Sequence, residues 1–326
     1  MKRRTFIQSS ALASISSLAF APAARAQAWP AKPVTLVYAY PPGGGADPLA
    51  RVLAQELKGR LGQAIVVENR SGAAGTIGTG SVAKAAPDGY TFLVNVSQEL
   101  AIAPWLYPQL PYVVEKNFTA VCRCATLPMM LVAHPGVNIR SVAELVARAK
   151  AAPGSVSYAS AGSGSLQHLA TEVLQRRTGI QLNHIPYKGV AEATRDLLGG
   201  QVPLGFVGVS TAISHVKEGK LVVLGISTES PLPDMPQFSP LAANAELAGF
   251  DLPQWFGIVA PAGTPAPIVE KLAADVRAVL QTDSVKSFLQ ANGLTPAYMG
   301  PAPYQQFIFD QKQLFGRVIR EGNIRI

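Results

Sequence analysis

The chain is short of cysteine, of charge and of long apolar runs, and each shortage removes a class of protein. Two cysteines, Cys122 and Cys124, stand in 326 residues. Bridging residues i and i+2 of an extended segment strains the geometry that a disulfide needs, so the sequence carries no disulfide framework. The pair reads as two small, buried, apolar-like side chains, which would share one face if the segment were a strand. Charged residues make up 15% of the chain, without a dense Lys/Arg cluster interleaved with aromatics, so nucleic acid is not an expected partner. Beyond the N-terminal region no segment is apolar enough to span a bilayer. The four histidines, His134, His168, His184 and His215, are scattered without metal-ligand spacing; His168 stands out because it lies one turn into a helix behind a glycine-rich loop. There is no Gly-x-Ser-x-Gly turn, Walker lysine motif or other nucleophile signature, and no cofactor or metal is expected. The echo of a dinucleotide fingerprint at Gly78-Thr79-Gly80-Ser81-Val82-Ala83 lies about ten residues past its strand, and reads as packing.

What is present begins with an export signal over residues 1–26. Lys2, Arg3 and Arg4 open it, a serine-interrupted apolar stretch follows, and Ala24-Arg25-Ala26 supplies a small-x-small cleavage pattern. Arg3-Arg4-Thr5-Phe6-Ile7 also resembles a twin-arginine signal, which leaves Sec and twin-arginine export both open. Either route leads to the periplasm. Removing the signal leaves 24 basic against 20 acidic residues, so the net charge falls from +8 to +4. A mildly basic body suits an anionic ligand.

The rest alternates strand and helix patterns. Residues 34–40 form a β-branched strand that ends at Pro41-Pro42-Gly43-Gly44-Gly45. Asp47 is expected to cap the following helix, with Pro48 in its first turn and Leu49, Val52, Leu53 and Leu57 on one face. Strands over 64–68 and 91–96 with a short helix between them complete a β-α-β-α-β unit. A second series starts near Met129: a strand, a helix opened by the Ser141/Glu144 capping box, a strand over 156–160, the loop Ala161-Gly162-Ser163-Gly164-Ser165, and a helix carrying Leu166, Leu169, Val173 and Leu174. Further strands fall at 182–185, 202–209 and 221–227. A proline-rich loop covers 230–240, a last strand 255–260, and helices capped by Thr264 and spanning 303–320 close the chain. This pattern predicts an α/β fold of two lobes, with mainly parallel sheets flanked by helices. The expected division is 27–126 for the first part of lobe 1, 127–228 for lobe 2, and 229–326 for a return to lobe 1. Open α/β sheets bind ligands beyond their carboxyl ends, and two such ends face to face make a cleft that hinges shut.

Two strand-to-helix loops carry the functional expectation, Pro42-Gly43-Gly44-Gly45-Ala46-Asp47 and Ala161-Gly162-Ser163-Gly164-Ser165. Free amides at a helix start attract anions, and glycine lets a ligand come close. One helix terminus contributes roughly 0.3–2 kcal/mol, whereas micromolar binding needs roughly 8 kcal/mol. Several charge-assisted hydrogen bonds of about 1.5–3 kcal/mol each close that gap, so both loops are expected on one carboxylate.

The ordered series Tyr40-Pro41-Pro42-Gly43-Gly44-Gly45-Ala46-Asp47, Glu68-Asn69-Arg70-Ser71-Gly72, Pro87-Asp88-Gly89-Tyr90-Thr91, Tyr158-Ala159-Ser160, Pro186-Tyr187-Lys188-Gly189 and Trp255-Phe256-Gly257 resembles that of the Bug-type receptors, the solute-binding proteins of tripartite tricarboxylate transporters. The resemblance spans nearly the whole mature chain. It implies a periplasmic flytrap without catalytic activity, a monomer that captures a small organic acid or amino-acid-like solute for membrane transporter subunits. It also implies a site built from Tyr40, Pro42, Gly43, Gly44 and Asp47 on one side and Gly162, Ser163, Gly164 and Ser165 on the other, with Ser97, Gln98, Tyr187 and Ser210 setting specificity. Glu99 departs from the family's small polar run; facing the cleft, it would disfavour a second carboxylate on the solute or accept its amine. A receptor that signals to a membrane sensor kinase is the alternative function, and a secreted α/β enzyme a third.

Overall fold

The computed structural model describes residues 29–42 and 46–326; the export signal read at 1–26 lies outside them. The first half-sheet is laid down by β1 (Val34–Tyr38), α1 (Asp47–Leu61), β2 (Ile65–Asn69), α2 (Thr76–Ala83) and β3 (Thr91–Val96). After two short helices, α3 (Ala103–Leu106) and α4 (Val114–Asn117), the ten-residue β4 (Phe118–Leu127) runs out to Pro128. The second lobe follows as β5 (Met129–Ala133), α5 (Val142–Ala151), β6 (Ser157–Ser160), α6 (Leu166–Thr178), β7 (Asn183–Pro186), α7 (Val190–Leu198), β8 (Leu204–Gly208), α8 (Val209–Lys217) and β9 (Val222–Ile226). The chain then returns through β10 (Gln254–Pro261), α9 (Ala266–Val279), α10 (Asp283–Ala291), β11 (Thr295–Met299) and the long α11 (Pro301–Glu321).

Two sheets result, ordered β11-β4-β10-β3-β1-β2 and β7-β6-β8-β5-β9. They are mixed rather than mainly parallel: among the described residues five of the nine pairings are antiparallel. The β-α-β units do pair in parallel, β1 with β2 and β3, β6 with β7 and β8. The strands that cross between the lobes reverse the direction. β10 re-enters the first sheet at its cleft edge, Gln254 opposite Leu127 and Phe256 opposite Val96, so it runs against both β4 and β3. By the same logic β5 enters the second sheet with Met129 opposite Gly208, and runs against β8 and β9. Periodicity within one strand does not report which edge of a sheet the chain enters.

Local signals behave unevenly. Ser141 accepts the Glu144 amide (3.1 Å) at the start of α5, and the Glu144 carboxylate accepts the Arg140 amide (2.7 Å). Asp47 does not cap α1. Ala46 occupies that position, and Asp47 is the first helical residue. Likewise Pro265, not Thr264, precedes α9, while the Thr264 hydroxyl donates to Pro261 O (2.8 Å) in the turn before it. Helices α8 and α10 and strands β4 and β11 have no counterpart in the pattern reading. Cys122 and Cys124 are free, buried and 3.9 Å apart at sulfur on β4, and burial pushes the Cys122 thiol well up.

The core of the first sheet's outer face packs α1, α9 and α10 around Leu36, Phe92, Phe256 and Leu272. The other face joins a cluster that continues into the second lobe, from Val37 and Leu93 through Trp255, Tyr304 and Phe315 to Leu131, Leu169 and Phe206. Trp255 lies edge-on to Tyr304 (5.9 Å, 86°) and Phe307 (5.4 Å, 77°). The Tyr304 hydroxyl hydrogen-bonds with the fully buried Asn95 (2.9 Å to Nδ2). Gly257 makes this possible, because a Cβ there would overlap the Tyr304 hydroxyl and stand 2.7 Å from Cys122 O. Gly257→Ala is therefore expected to destabilise the protein by roughly 1–3 kcal/mol through overpacking, read as a lower midpoint at unchanged slope in urea unfolding.

Candidate functional site

The carboxyl ends of β1, β3 and β6 converge on a cleft of about 620 Å³ between the lobes. Tyr38, Tyr40, Pro41, Pro42, Val96, Ser97 and Gln98 line one wall and Ser165, Leu166, Gln167 and Val190 the other, with Gln254 from the returning strand between them. Of the residues anticipated from sequence, Tyr40, Pro42, Ser97, Gln98 and Ser165 are brought together here. Gly43 and Gly44 lie outside the described residues. Ser210 is exposed and lines an adjoining recess. Tyr187 is half-buried; it packs against the small cluster of Ala159, Ala193 and Val202, its amide on Ser160 O (3.0 Å) and its hydroxyl beside Asp196.

Asp47 works behind the first loop. It is 3% exposed, and its carboxylate takes a bidentate grip from Arg51 (2.9 and 3.2 Å) and a bond from Asn69 Nδ2 (2.9 Å). The same Asn69 amide donates to Tyr40 O (3.0 Å), and the Tyr38 hydroxyl accepts the Ala46 amide (3.1 Å). Both ends of the segment from Tyr40 to Ala46 are thereby tied to the sheet. Charge-assisted and bidentate bonds are the stronger kind, so this network anchors Tyr40 and the start of α1 firmly.

The second loop spends much of its polarity on itself. Gly162 and Gly164 take positive φ (119° and 75°). The Gly162 amide donates to Ser160 Oγ (3.1 Å), the Gly164 amide to His168 Nδ1 (3.0 Å), and the Ser165 amide to Gly162 O (3.1 Å). Ser163 is exposed. Ser165 caps α6 by accepting the His168 amide (3.3 Å). The amides of Leu166 and Gln167, which by helix geometry lack an intrahelical acceptor, belong to residues on the cleft wall. The Gly162 and Gly164 amides are thus satisfied within the protein, whereas the first-turn amides of α6 face the cleft side of the helix start. His168 and His184 stack beneath it at 4.0 Å and 11°, and burial, then the neighbouring His184, pull His168 down to about 4. A neutral imidazole is what accepts the Gly164 amide. His168 is thus a loop-holding residue.

Glu99 departs from expectation. It sits in a π-helical turn, Gln98–Ile102, and is fully buried, so it meets no solute amine directly. One carboxyl oxygen accepts the Val96 amide (3.0 Å), and the other has no aligned partner among the described residues. The Tyr40 hydroxyl neighbours this carboxyl; its aligned bond goes to Ala74 O (3.3 Å). Burial raises Glu99 to about 8, and burial followed by Glu99 raises the Tyr40 hydroxyl. Near neutrality both groups are uncharged. Sequence reasoning missed Tyr38, Pro41, Val96, Leu166, Gln167, Val190 and Gln254 as cleft residues. Gln167 was open to inference from the first-turn geometry of the helix behind the loop; Gln254 had no local signal, because the return of β10 places it.

The two walls touch at both rims. A Cβ on Gly164 would overlap Leu106 of α3 and stand 3.5 Å from Ile326, and one on Gly293 would stand 2.9 Å from Ser210. Arg176 of α6 pairs with Glu321 of α11 (2.9 Å). No helix of the described residues is long and apolar enough to cross a membrane.

Glu99 generates a pH prediction. Its folded value of about 8 lies above the ordinary 4.5, so between these limits the folded state holds a proton that the unfolded chain releases. Stability therefore falls as pH rises through that window, by at most about 1.4 kcal/mol per unit. Glu99→Gln, which imitates the protonated form, is expected to flatten that slope and raise the melting temperature at pH 8, measured by calorimetry from pH 5 to 9.

Comparison with known proteins agrees with this architecture. Residues 49–324 match the tripartite tricarboxylate transporter family receptor. Protein BugT of Bordetella pertussis is 37% identical over 313 residues, covering 96% of each chain. An R. palustris protein solved with adipate is 32% identical, covers 91% of this chain and 99% of its own, and superposes with a TM-score of 0.78. MatC of Rhodopseudomonas palustris, solved with bound malate, is 31% identical, covers 89% and 100%, and gives a TM-score of 0.71. The chain belongs to the tripartite tricarboxylate transporter receptor family, a group of two-lobed solute-binding proteins rather than enzymes.

Proposed function

We propose that this receptor is exported to the periplasm, closes as a monomer around one small carboxylate-bearing solute, and hands it to the membrane subunits of a tripartite transporter. The single observation that carries the solute class is the cleft wall itself: hydroxyl and amide side chains from both lobes, Ser97 and Gln98 opposite Ser165 and Gln167, meet at the first turn of α6. Neutral dipoles and a helix start suit a carboxylate, which accepts several hydrogen bonds at once. The adipate and malate in two relatives support the same class. Closure would turn on the two crossings between lobes, at Pro128 and just after β9, with lobe 1 comprising 27–126 and 229–326 and lobe 2 comprising 127–228. The basic, serine-rich start with Ala24-Arg25-Ala26 supports export.

Native mass spectrometry of gently purified protein should reveal a retained carboxylic acid. Gln98→Leu should weaken binding of that acid about tenfold or more by isothermal titration, the loss of one charge-assisted hydrogen bond, with the melting temperature of the solute-free protein unchanged. A retained solute without a carboxylate, or undiminished binding by the variant, would count against the reading.

A further inference from the structure

We infer that the solute carries a hydroxyl group on the carbons next to its head carboxylate, and that Gln167 and Gln254 are the specificity-determining residues that recognise it. The inference rests on the receptor reading and narrows its solute class. A second recess of about 390 Å³ opens off the cleft, and the described side chains that line it are uncharged. Gln167, Val190 and Gln254 line both spaces, so a solute body that extends beyond the first passes between these three residues. They come to the junction from opposite walls. Gln167 stands in the first turn of α6 and Val190 opens α7, whereas Gln254 opens β10 opposite Leu127, the last residue of β4.

The two glutamine side chains are half-buried and unspent: neither makes a hydrogen bond among the described residues. Other polar groups around the cleft are already engaged, Ser165 by the His168 amide and Asp47 by Arg51 and Asn69. Closure that dries the junction leaves both side-chain amides unmet unless the solute meets them. Each unmet amide weakens binding by about five- to 150-fold, whereas one more buried methylene strengthens it only about fourfold. A plain hydrocarbon chain between the two amides therefore loses. A primary amide presents donors and an acceptor together. An oxo group meets only the N–H side and an ammonium only the carbonyl side; a hydroxyl accepts from one glutamine while it donates to the other. Gln167 also sets how far the hydroxyl lies from the head group. Its backbone amide belongs to the helix turn that faces the carboxylate, so its side chain reaches only the first few carbons of the solute. The same holds whether or not the far end of the solute bears a second carboxylate.

The test titrates exhaustively dialysed mature protein with butyrate, succinate and adipate, each beside its monohydroxylated counterparts, by isothermal calorimetry. A hydroxylated acid should bind at least about tenfold more tightly than its parent. Gln254→Leu and Gln167→Leu should each bring that ratio to about threefold or less, and the melting temperature of each solute-free variant reports that it folds. Parent acids bound by wild-type protein as tightly as the hydroxylated ones would refute the hydroxyl and leave the carboxylate receptor standing; that is also the result if the two amides pair with each other across the closed cleft. Binding of no acid in the panel would refute both. A preference for the hydroxylated acid that survives both substitutions would refute the junction as its source.

Discussion

The antiparallel insertion of β10 between β3 and β4 is the constraint on which the rest of the molecule depends. The chain leaves the first sheet along β4 and must come back along a strand that starts at the cleft. That single reversal places Gln254 in the cleft wall, stations Ser97 and Gln98 beside it at the end of β3, and buries Trp255 in the cluster shared by the two lobes. It also demands a glycine at 257, where Tyr304 of α11 crosses the sheet closely. Because the long terminal helix is docked on the first lobe and reaches α6 through Arg176 and Glu321, the two walls of the cleft are held in register at the rims while the space between them stays open.

Around that frame charge is kept one step behind the cleft wall. Asp47, Arg51 and Asn69 form a network behind the first loop. His168 is held neutral under the second loop, and Glu99 is driven toward its protonated form under Tyr40. The cleft wall itself presents hydroxyls, amides and helix N–H groups. Fixed neutral dipoles can hold an anion without a buried counter-charge, which avoids the desolvation cost of a buried ion pair.

Much of the architecture was legible along the chain. The β-branched runs read at 34–40 and 91–96, the apolar stripe of α1 and the Ser141/Glu144 box each act within a few residues, and each appears near where the pattern puts it, the first strand ending at Tyr38, two residues short of the expected bound. Pro42 and Ser165 were legible as cleft residues because they lie in the two strand-to-helix loops of a fold whose cleft lies at the strand ends, and Tyr40, Ser97 and Gln98 through the family resemblance. The capping role expected of Asp47 and Thr264 failed for one reason: a neighbouring residue took the cap while the side chain found a stronger or nearer partner, Arg51 and Asn69 in one case and the Pro261 carbonyl in the other.

By itself the sequence determined the α/β class, the order of its elements, the two strand-to-helix turns that border the cleft, and membership in a receptor family, because these follow from short-range periodicity and from motifs read in order. Tertiary structure alone decided the mixed strand directions, the burial of Glu99, the satisfaction of the Gly162 and Gly164 amides by Ser160 and His168, and the presence of Gln254 and a second, charge-free recess beside the first. Each of these depends on groups far apart in the chain meeting in space, and whether a polar group is spent internally or left for a ligand is settled by those meetings.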